Sequence, residues 1–449
     1  MAKEKEGMKA YYGITFLIGL GFFTMGLMDP LYDTYVPMFL SNFLSSDSLV
    51  GGIMGIDNFF AILLIPIVSA LSDRTRTPIG RRMPYIITLL PASAICFSLL
   101  PTAALKSLMF LIIFIFFLNL FKQAVRGPVV ALMPDIIPGD YRSEANGVIN
   151  TMGGVAAIVG TVGLAKLYDV KVKIPLFGDS IVPFTSSTTA DSTTYIGKLP
   201  FVISGLLVII AVILLFLFVK EKKNPNAAEE KEPPVFQSLK LIFTAKDKSA
   251  LFILISLLFW FIAYQGVVPW AGIYSKEFLG LSPGTSALSA GMVGIAYAIF
   301  AIPSGIIAHK IGRKKAIRGS LVIAAIVLAL TFLHYPITNI LGITGPARFI
   351  SFWFLLFIFG MFWVSIVTNS FPMLWQMATY SDMGIYTGLY YFFSQAAGII
   401  APILTGALRD LFGDRVIFIN GTVFMLLAFI MMGFVTKGEP KKEIPQASE

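Results

Sequence analysis

Five ionisable residues stand inside otherwise apolar runs: Asp29 and Asp33 in the first run, Asp57 in the second, and Lys122 and Arg126 in the fourth. An ionised side chain in hydrocarbon costs several kcal/mol unless it is paired or hydrated, so each is a candidate for chemistry with a nameable partner. A carboxylate beside a fixed cation can exchange a proton or a small cation, because the fixed charge favours the ionised form and proton arrival frees the cation. Asp57 or Asp29 is the candidate carboxylate and Lys122 or Arg126 its counter-charge. The expected pair is Asp57 with Lys122 or Asp29 with Lys122. Helix rise places Asp57 roughly 13 Å below the end of its run, near the middle of the hydrocarbon. The plainer reading of these residues is a static pair that holds helices together, and Asp33 reads as a residue at the outer water interface. Asn119, Lys122, Gln123 and Arg126 recur at i, i+3, i+4 and i+7, so they share one helix face, expected to look into a cavity.

Uncharged polar and aromatic residues cluster in the second half of the chain: Trp260, Tyr264, Gln265 and Trp270 in the seventh run, then Trp363, Asn369, Trp375, Gln376, Tyr390, Tyr391 and Gln395. A solute with apolar C–H faces and a rim of hydroxyls needs aromatic platforms beside amide partners. Asn119, Gln123, Trp260, Tyr264, Gln265, Asn369, Tyr390 and Gln395 are the candidate binding residues. Trp270 and Trp375 lie near run ends, where a Trp is first an interface anchor. Cys96 reads as a small apolar filler, and a single cysteine excludes disulfides within the chain. His309 and His334 lack neighbours suited to metal or catalysis. No metal site, no phosphate-cradling loop and no cofactor is expected, and no constellation of His, Cys or paired carboxylates points to an enzyme.

The elements that must position these residues are membrane helices. The chain has 449 residues, 56% hydrophobic and 13% charged, with 40 Phe and 39 Gly. Its mean hydropathy of +0.81 is more than a water-soluble core can absorb. Apolar runs long enough to cross hydrocarbon fall near 11–40, 49–71, 84–104, 108–134, 146–167, 200–219, 250–273, 286–308, 316–334, 349–376, 386–408 and 416–436. The polar, Lys-, Glu- and Pro-rich stretch 220–248 divides them six and six. The expected organisation is therefore an N-terminal six-helix bundle over 1–219, a cytoplasmic linker over 220–248, and a C-terminal bundle with a short tail over 249–449. The N-terminus, with a charged lead and no small-residue cleavage site, reads as a tail and first span with no signal peptide. Lys and Arg concentrate on the loops that share a side with both termini, which predicts cytoplasmic termini. The net charge of +9 is spread over short loops, so topology accounts for it better than nucleic acid does.

The halves echo one another. The stretch Pro66–Pro84, PIVSALSDRTRTPIGRRMP, breaks an apolar helix into a basic turn, and PSGIIAHKIGRKK, Pro303–Lys315, is its weaker counterpart. PDIIPGDYRSEANG and ATYSDMGIYTG form a second pair, each between the fourth and fifth spans of its half. Two six-span bundles related by a repeat predict an all-α membrane protein of major facilitator architecture, with a central site between the halves.

The segments PIVSALSDRTRTPIGRRMPYI and RGPVVALMPDIIPGDYRSEANGV, and more weakly Trp260–Gly280, resemble the glycoside-pentoside-hexuronide:cation symporters, above all the sucrose-transporter-like branch. The resemblance covers nearly the whole chain. It implies secondary transport of a sugar, commonly a disaccharide or other glycoside, coupled to protons or sodium. The family's coupling residues do not carry over. The acidic residue of plant sucrose transporters eight positions before the Gly-Pro is Asn119 here, and the Arg two residues after it is Val130. The paired second-span carboxylates of melibiose permease fall at Ala61 and Ile65. The basic turn resembles the facilitator gating motif, which assigns Asp73, Arg74, Gly80, Arg81 and Arg82 to a cytoplasmic latch with Asp135, Asp140 and Arg142 as partners. The Asp of that motif is missing from the second half, where His309 and Lys310 stand.

The reading that results is a multi-pass protein of the plasma membrane, working as a monomer, that moves a sugar, a disaccharide or glycoside, in symport with a cation, protons before Na⁺, by alternating access. An uncoupled facilitator, a carrier of a non-sugar solute and a transporter-like sugar sensor are the alternatives.

Overall fold

The computed structural model describes residues 11–137, 142–185, 193–221, 247–377 and 383–438. The linker expected over 220–248 therefore lies almost wholly outside the described residues, as does Asp140.

Among the described residues, twelve helices are long and apolar enough to cross a membrane. They are α1 (Tyr12–Ser41), α2 (Asp47–Ser72), α3 (Met83–Lys106), α4 (Leu108–Met133), α5 (Thr151–Asp169) and α6 (Leu199–Phe218) in the first half. The second half holds α7 (Ser249–Leu279), α8 (Pro283–Ala301), α9 (Arg313–Ile340), α10 (Pro346–Leu374), α11 (Gly388–Phe412) and α12 (Val416–Gly433). Each matches an expected run. The end of α7 and both ends of α9 run about a turn or more beyond the expected runs, because a helix does not stop where the hydrocarbon does. Large apolar side chains such as Ile210, Phe216 and Leu217 on α6 and Leu330 on α9 point outward. Water would not tolerate such a continuous apolar surface, and lipid does.

Packing follows small residues. Within the first half α1 lies on α5, α3 on α4 and α6, and α2 on α4; within the second, α7 lies on α11 and α12, and α10 on α8 and α9. At the α1–α5 crossing a Cβ on Gly26 would strike the carbonyl of Gly153, so the backbones touch there. Prolines interrupt the ladders of α1 (Pro30, Pro37), α7 (Pro269) and α11 (Pro402). Pro269 and Pro402 stand on the wall of the central cavity, and Pro30 directly follows Asp29. The helix of α5 passes into a π turn at Val159–Leu164 and a 3-10 turn at Ala165–Asp169. Between α5 and α6 the loop adds two small antiparallel ribbons, β1 (Lys173–Ile174) with β2 (Gly178–Asp179), and β3 (Ile181–Thr185) with β4 (Thr193–Gly197). They lie outside the spans and leave the all-α membrane architecture as expected.

The two halves meet along α2–α11 and α5–α8. A Cβ on Gly51 would strike the Pro402 carbonyl, and one on Gly406 that of Asp47. These contacts close one end of the molecule. At the other end, where the starts of α1 and α5 and the end of α10 lie, the halves part around a cavity of about 1560 Å³.

Candidate functional site

The two walls of the cavity differ in chemistry. The first half contributes Asp29, Asp33, Asp57, Asn58 and Arg126, whereas the second contributes Phe261, Gln265, Trp270, Phe371, Tyr390 and Gln395 with no charged residue. The charges thus face an aromatic and amide surface across the gap.

Lys122 Nζ donates to Asp29 Oδ1 at 2.9 Å, which selects one of the two pairs expected. The ammonium also sits 4.9 Å from the centre of the Tyr32 ring. Asn119 donates to the Tyr32 hydroxyl at 2.8 Å. Asn119 and Gln123 are buried behind α1 and do not line the cavity; of the polar face expected on α4, only Arg126 reaches it. The reason is that α1 packs over that face, where its Tyr32 and Asp29 accept from Asn119 and Lys122. Asp57 accepts from its neighbour Asn58 at 2.6 Å and has no ion pair among the described residues.

Asp33 corrects the sequence reading. It lies one helical turn from Asp29 on the cavity wall, not at an outer interface, and it carries no hydrogen bond or ion pair among the described residues. It lies within electrostatic reach of Asp29, Asp57 and Lys122, and across the gap of Tyr264. The sequence signal was its i+4 spacing from Asp29, which puts both carboxylates on one face of α1. Asn58 was also missed, and its adjacency to Asp57 could have flagged it. A Cβ on Gly398 of α11 would meet the Asn58 side chain at 2.5 Å, so this amide sits between the Asp57 carboxylate and the opposite half.

On the second wall, Gln265, Tyr390 and Gln395 line the cavity. Tyr264 stands just behind, stacked on Trp363 with ring centroids 4.1 Å apart. Phe261 meets both Trp363 and Tyr390 edge-on, so the aromatic wall is braced by ring contacts. Trp260 is fully buried in the core, and Asn369 is buried and donates to the Ser365 carbonyl at 2.8 Å. Neither reaches the cavity, because a 3.6-residue repeat turns Trp260 away from the face that presents Gln265. Trp270, expected as an interface anchor, is 2% exposed at the cavity floor, with the Arg409 guanidinium 4.4 Å from its ring. The side chain of Trp375 lies outside the described residues.

The basic turn after α2 is held by a network of ion pairs and hydrogen bonds inside the first half. Arg81 donates to both oxygens of Asp135, at 3.0 and 2.5 Å, and Arg82 Nε donates to the same carboxylate at 3.0 Å. Arg82 also donates to Ser72 Oγ, and its backbone N–H donates to Glu221 at 2.9 Å. Glu221, just beyond α6, was not foreseen. Gly80 makes the turn possible: its φ of +113° is strained for any side chain, and a Cβ there would strike Glu221. Arg74 is exposed, and the side chains of Asp73 and Arg142 lie outside the described residues. The second half is built differently, as its sequence implies. Lys314 donates to the carbonyls of Gly433 and Val435, and Arg313 to that of Pro372, so cations cap helix ends in place of carboxylates.

A family model described as MFS/sugar transport protein matches residues 17–415. The chain belongs to that family. Among solved structures, this MFS chain is similar to a bacterial homologue of the human lysosomal transporter Spinster, in an inward-facing and unoccupied conformation, with a TM-score of 0.73 and 13% identity over 97% of this chain and 100% of the other. It is also similar to a mutant of the nucleoside transporter NupG, with a TM-score of 0.65 and 12% identity over 94% and 100%. A D-xylose-proton symporter gives 0.64 and 14% over 95% and 98%. At such identities the likeness establishes the fold. No curated protein sequence matches the chain. The family and fold make this MFS protein a multi-pass membrane transporter and not an enzyme.

Proposed function

We propose that this transporter couples uptake of a sugar, a disaccharide or other glycoside, to a cation, with protons favoured over Na⁺, by alternating exposure of the central cavity. The observation that carries the reading is the charge balance of the first wall: Asp29, Asp33 and Asp57 against Lys122 and Arg126. With all five ionised the cluster holds one negative charge in excess, which a single proton or Na⁺ neutralises. Asp33 and Asp57, which no cation neutralises directly, are the carboxylates to take it. The opposite wall offers Tyr390 as a platform and Gln265 and Gln395 as hydroxyl partners. Small-ligand pockets run to about 1,000 Å³, so a cavity of about 1560 Å³ holds two sugar rings and water. The glycoside-pentoside-hexuronide resemblance points the same way. The bias of Lys and Arg supports termini, and an open end of the cavity, on the cytoplasmic side of the membrane, which we take to be the plasma membrane.

The test is uptake of labelled disaccharides into proteoliposomes under an imposed pH gradient and then a Na⁺ gradient, for the wild type and for Asp57→Asn and Asp33→Asn. Concentrative uptake driven by one ion and lost in either variant, with exchange at equal concentrations retained, is the expected result. Uptake that only equilibrates makes the protein an uncoupled facilitator, and no uptake of any sugar by folded protein removes the glycoside assignment.

A further inference from the structure

The closed end of the molecule is sealed by two constellations that have the same parts in opposite halves. At the end of α11, Asp410 accepts from Ser46 Oγ at 2.9 Å, from the backbone N–H of Asp47 at 2.7 Å and from that of Ser48 at 3.1 Å, all at the start of α2. At the end of α5, Asp169 accepts from Ser282 Oγ at 2.5 Å, at the start of α8. Each serine is at the same time the N-cap of its helix: Ser46 accepts from Leu49 N–H at 3.4 Å and Ser282 from Thr285 N–H at 3.3 Å. Since α5 and α2 occupy in the first half the places of α11 and α8 in the second, Asp169–Ser282 and Asp410–Ser46 are counterparts under the internal repeat. In both, a carboxylate of one half grips the first turn of a helix in the other, where the helix dipole favours an anion.

We infer that Asp169 and Asp410, with Ser282 and Ser46, are paired gate latches of the transport cycle, whose hydrogen bonds hold this end shut in the present state and must break for the cavity to open there. Backbone fit supports the assignment. Close approach at the seams depends on glycine: a Cβ on Gly284 would stand 2.5 Å from Asp169 Oδ2, and those on Gly51 and Gly406 would strike the facing backbone. The α2–α11 latch carries an addition its counterpart lacks. Arg409, beside Asp410, forms an ion pair with Asp47 across the seam at 3.2 Å, outside hydrogen-bond geometry, and is held from behind by Asp414. Its guanidinium lies over the ring of Trp270, which is among the residues that line the cavity. The α2–α11 latch is thus connected through Arg409 and Trp270 to the cavity lining.

This inference rests on the alternating-access reading above, and the experiment separates the two. In a Cys96→Ala background, spin labels at Lys106→Cys and Leu341→Cys report the closed end, and labels at Arg74→Cys and Lys310→Cys report the open end, in full-length protein in lipid nanodiscs. All four positions are exposed. Asp169→Ala, which gives up one hydrogen bond, should raise the population with separated closed-end labels about threefold, and Asp410→Ala, which gives up three, about tenfold or more, with the open-end distance shortening in step. Ser46→Ala should act in the same direction by a smaller factor than Asp410→Ala, since two backbone donors to Asp410 remain, and Ser282→Ala, which removes the hydrogen bond to Asp169, by about the same factor as Asp169→Ala, so the inference stands or falls even if an aspartate variant fails to fold. Wild-type protein that interconverts between both distances while all four variants match it overturns the latches and leaves alternating access intact. Distances that never move, in any variant or at any pH from 5 to 8, overturn both.

Discussion

Lys122 is the residue on which the ionic wall turns. It is 6% exposed and holds Asp29, yet Asp29 keeps 41% of its side chain open to the cavity. Breaking a fully buried pair costs about 3–5 kcal/mol, and water at Asp29 reduces that, so Lys122→Met is expected to cost about 2 kcal/mol. Asp29→Asn in the same chain should recover most of the loss, because the uncompensated carboxylate is then gone. Thermal unfolding of the two singles and the double in detergent measures this coupling. Additive effects of the two changes would show that the pair contributes nothing to stability, and that its partners are held for transport alone.

The helices α2 and α11 bring the charged wall to the seam between the halves. Asn58 joins them: its amide donates to Asp57, and its side chain fills the notch left by Gly398. A methyl on Gly398 has nowhere to go without moving that amide, whereas Gly388 on the same helix faces open space. Gly398→Ala should therefore weaken the packing by about 1–3 kcal/mol and shift the pH midpoint of uptake, while Gly388→Ala leaves both unchanged. A pH–rate profile identical in all three proteins would disconnect Asp57 from the seam. The basic turn after α2 plays a more static part, since Asp135, Arg81, Arg82 and Glu221 all belong to one half and move together with it.

Across the whole molecule, the proposed proton coupling gives the pH dependence of stability and that of transport separate origins. Outside the membrane, Asp247 accepts from Ser249 N–H at 2.8 Å at the start of α7 and pairs with Lys437 at 2.8 Å beyond α12. The hydrogen bonds from Lys437 and Ser249 hold its carboxyl down at about 2, and those with Asp247 push the Lys437 ammonium up. A depressed carboxylate contributes above its unfolded value of about 3.9 and loses that contribution only as pH falls toward about 2. The raised lysine contributes below its ordinary range and loses that contribution only at strongly alkaline pH. Between pH 5 and 8 the pair is constant. Asp247→Asn should thus leave the uptake profile over that interval superimposable on the wild type, and a displaced midpoint would move the titrating group from the cavity to the tail.

Twelve spans, two halves and the basic turn at Asp73–Arg82 were legible in the chain itself, because membrane crossing is a demand on length and apolarity that each segment meets alone. So were the five intramembrane charges, since an ionisable residue in an apolar run stands out wherever its helix points. The helix rotations were not legible. Asn119, Gln123 and Trp260 are in the right spans but face neighbouring helices, and Asp33 faces the cavity although its place near a run end suggested water. Rotation is decided by which small residues let two backbones touch, as Gly26 does against Gly153 and Gly51 against Pro402. The closed-end latches were hidden for a stronger reason. Asp410 and Ser46 are 364 residues apart, and each alone is an ordinary polar residue at a helix end. Only the meeting of the two halves gives them a partner.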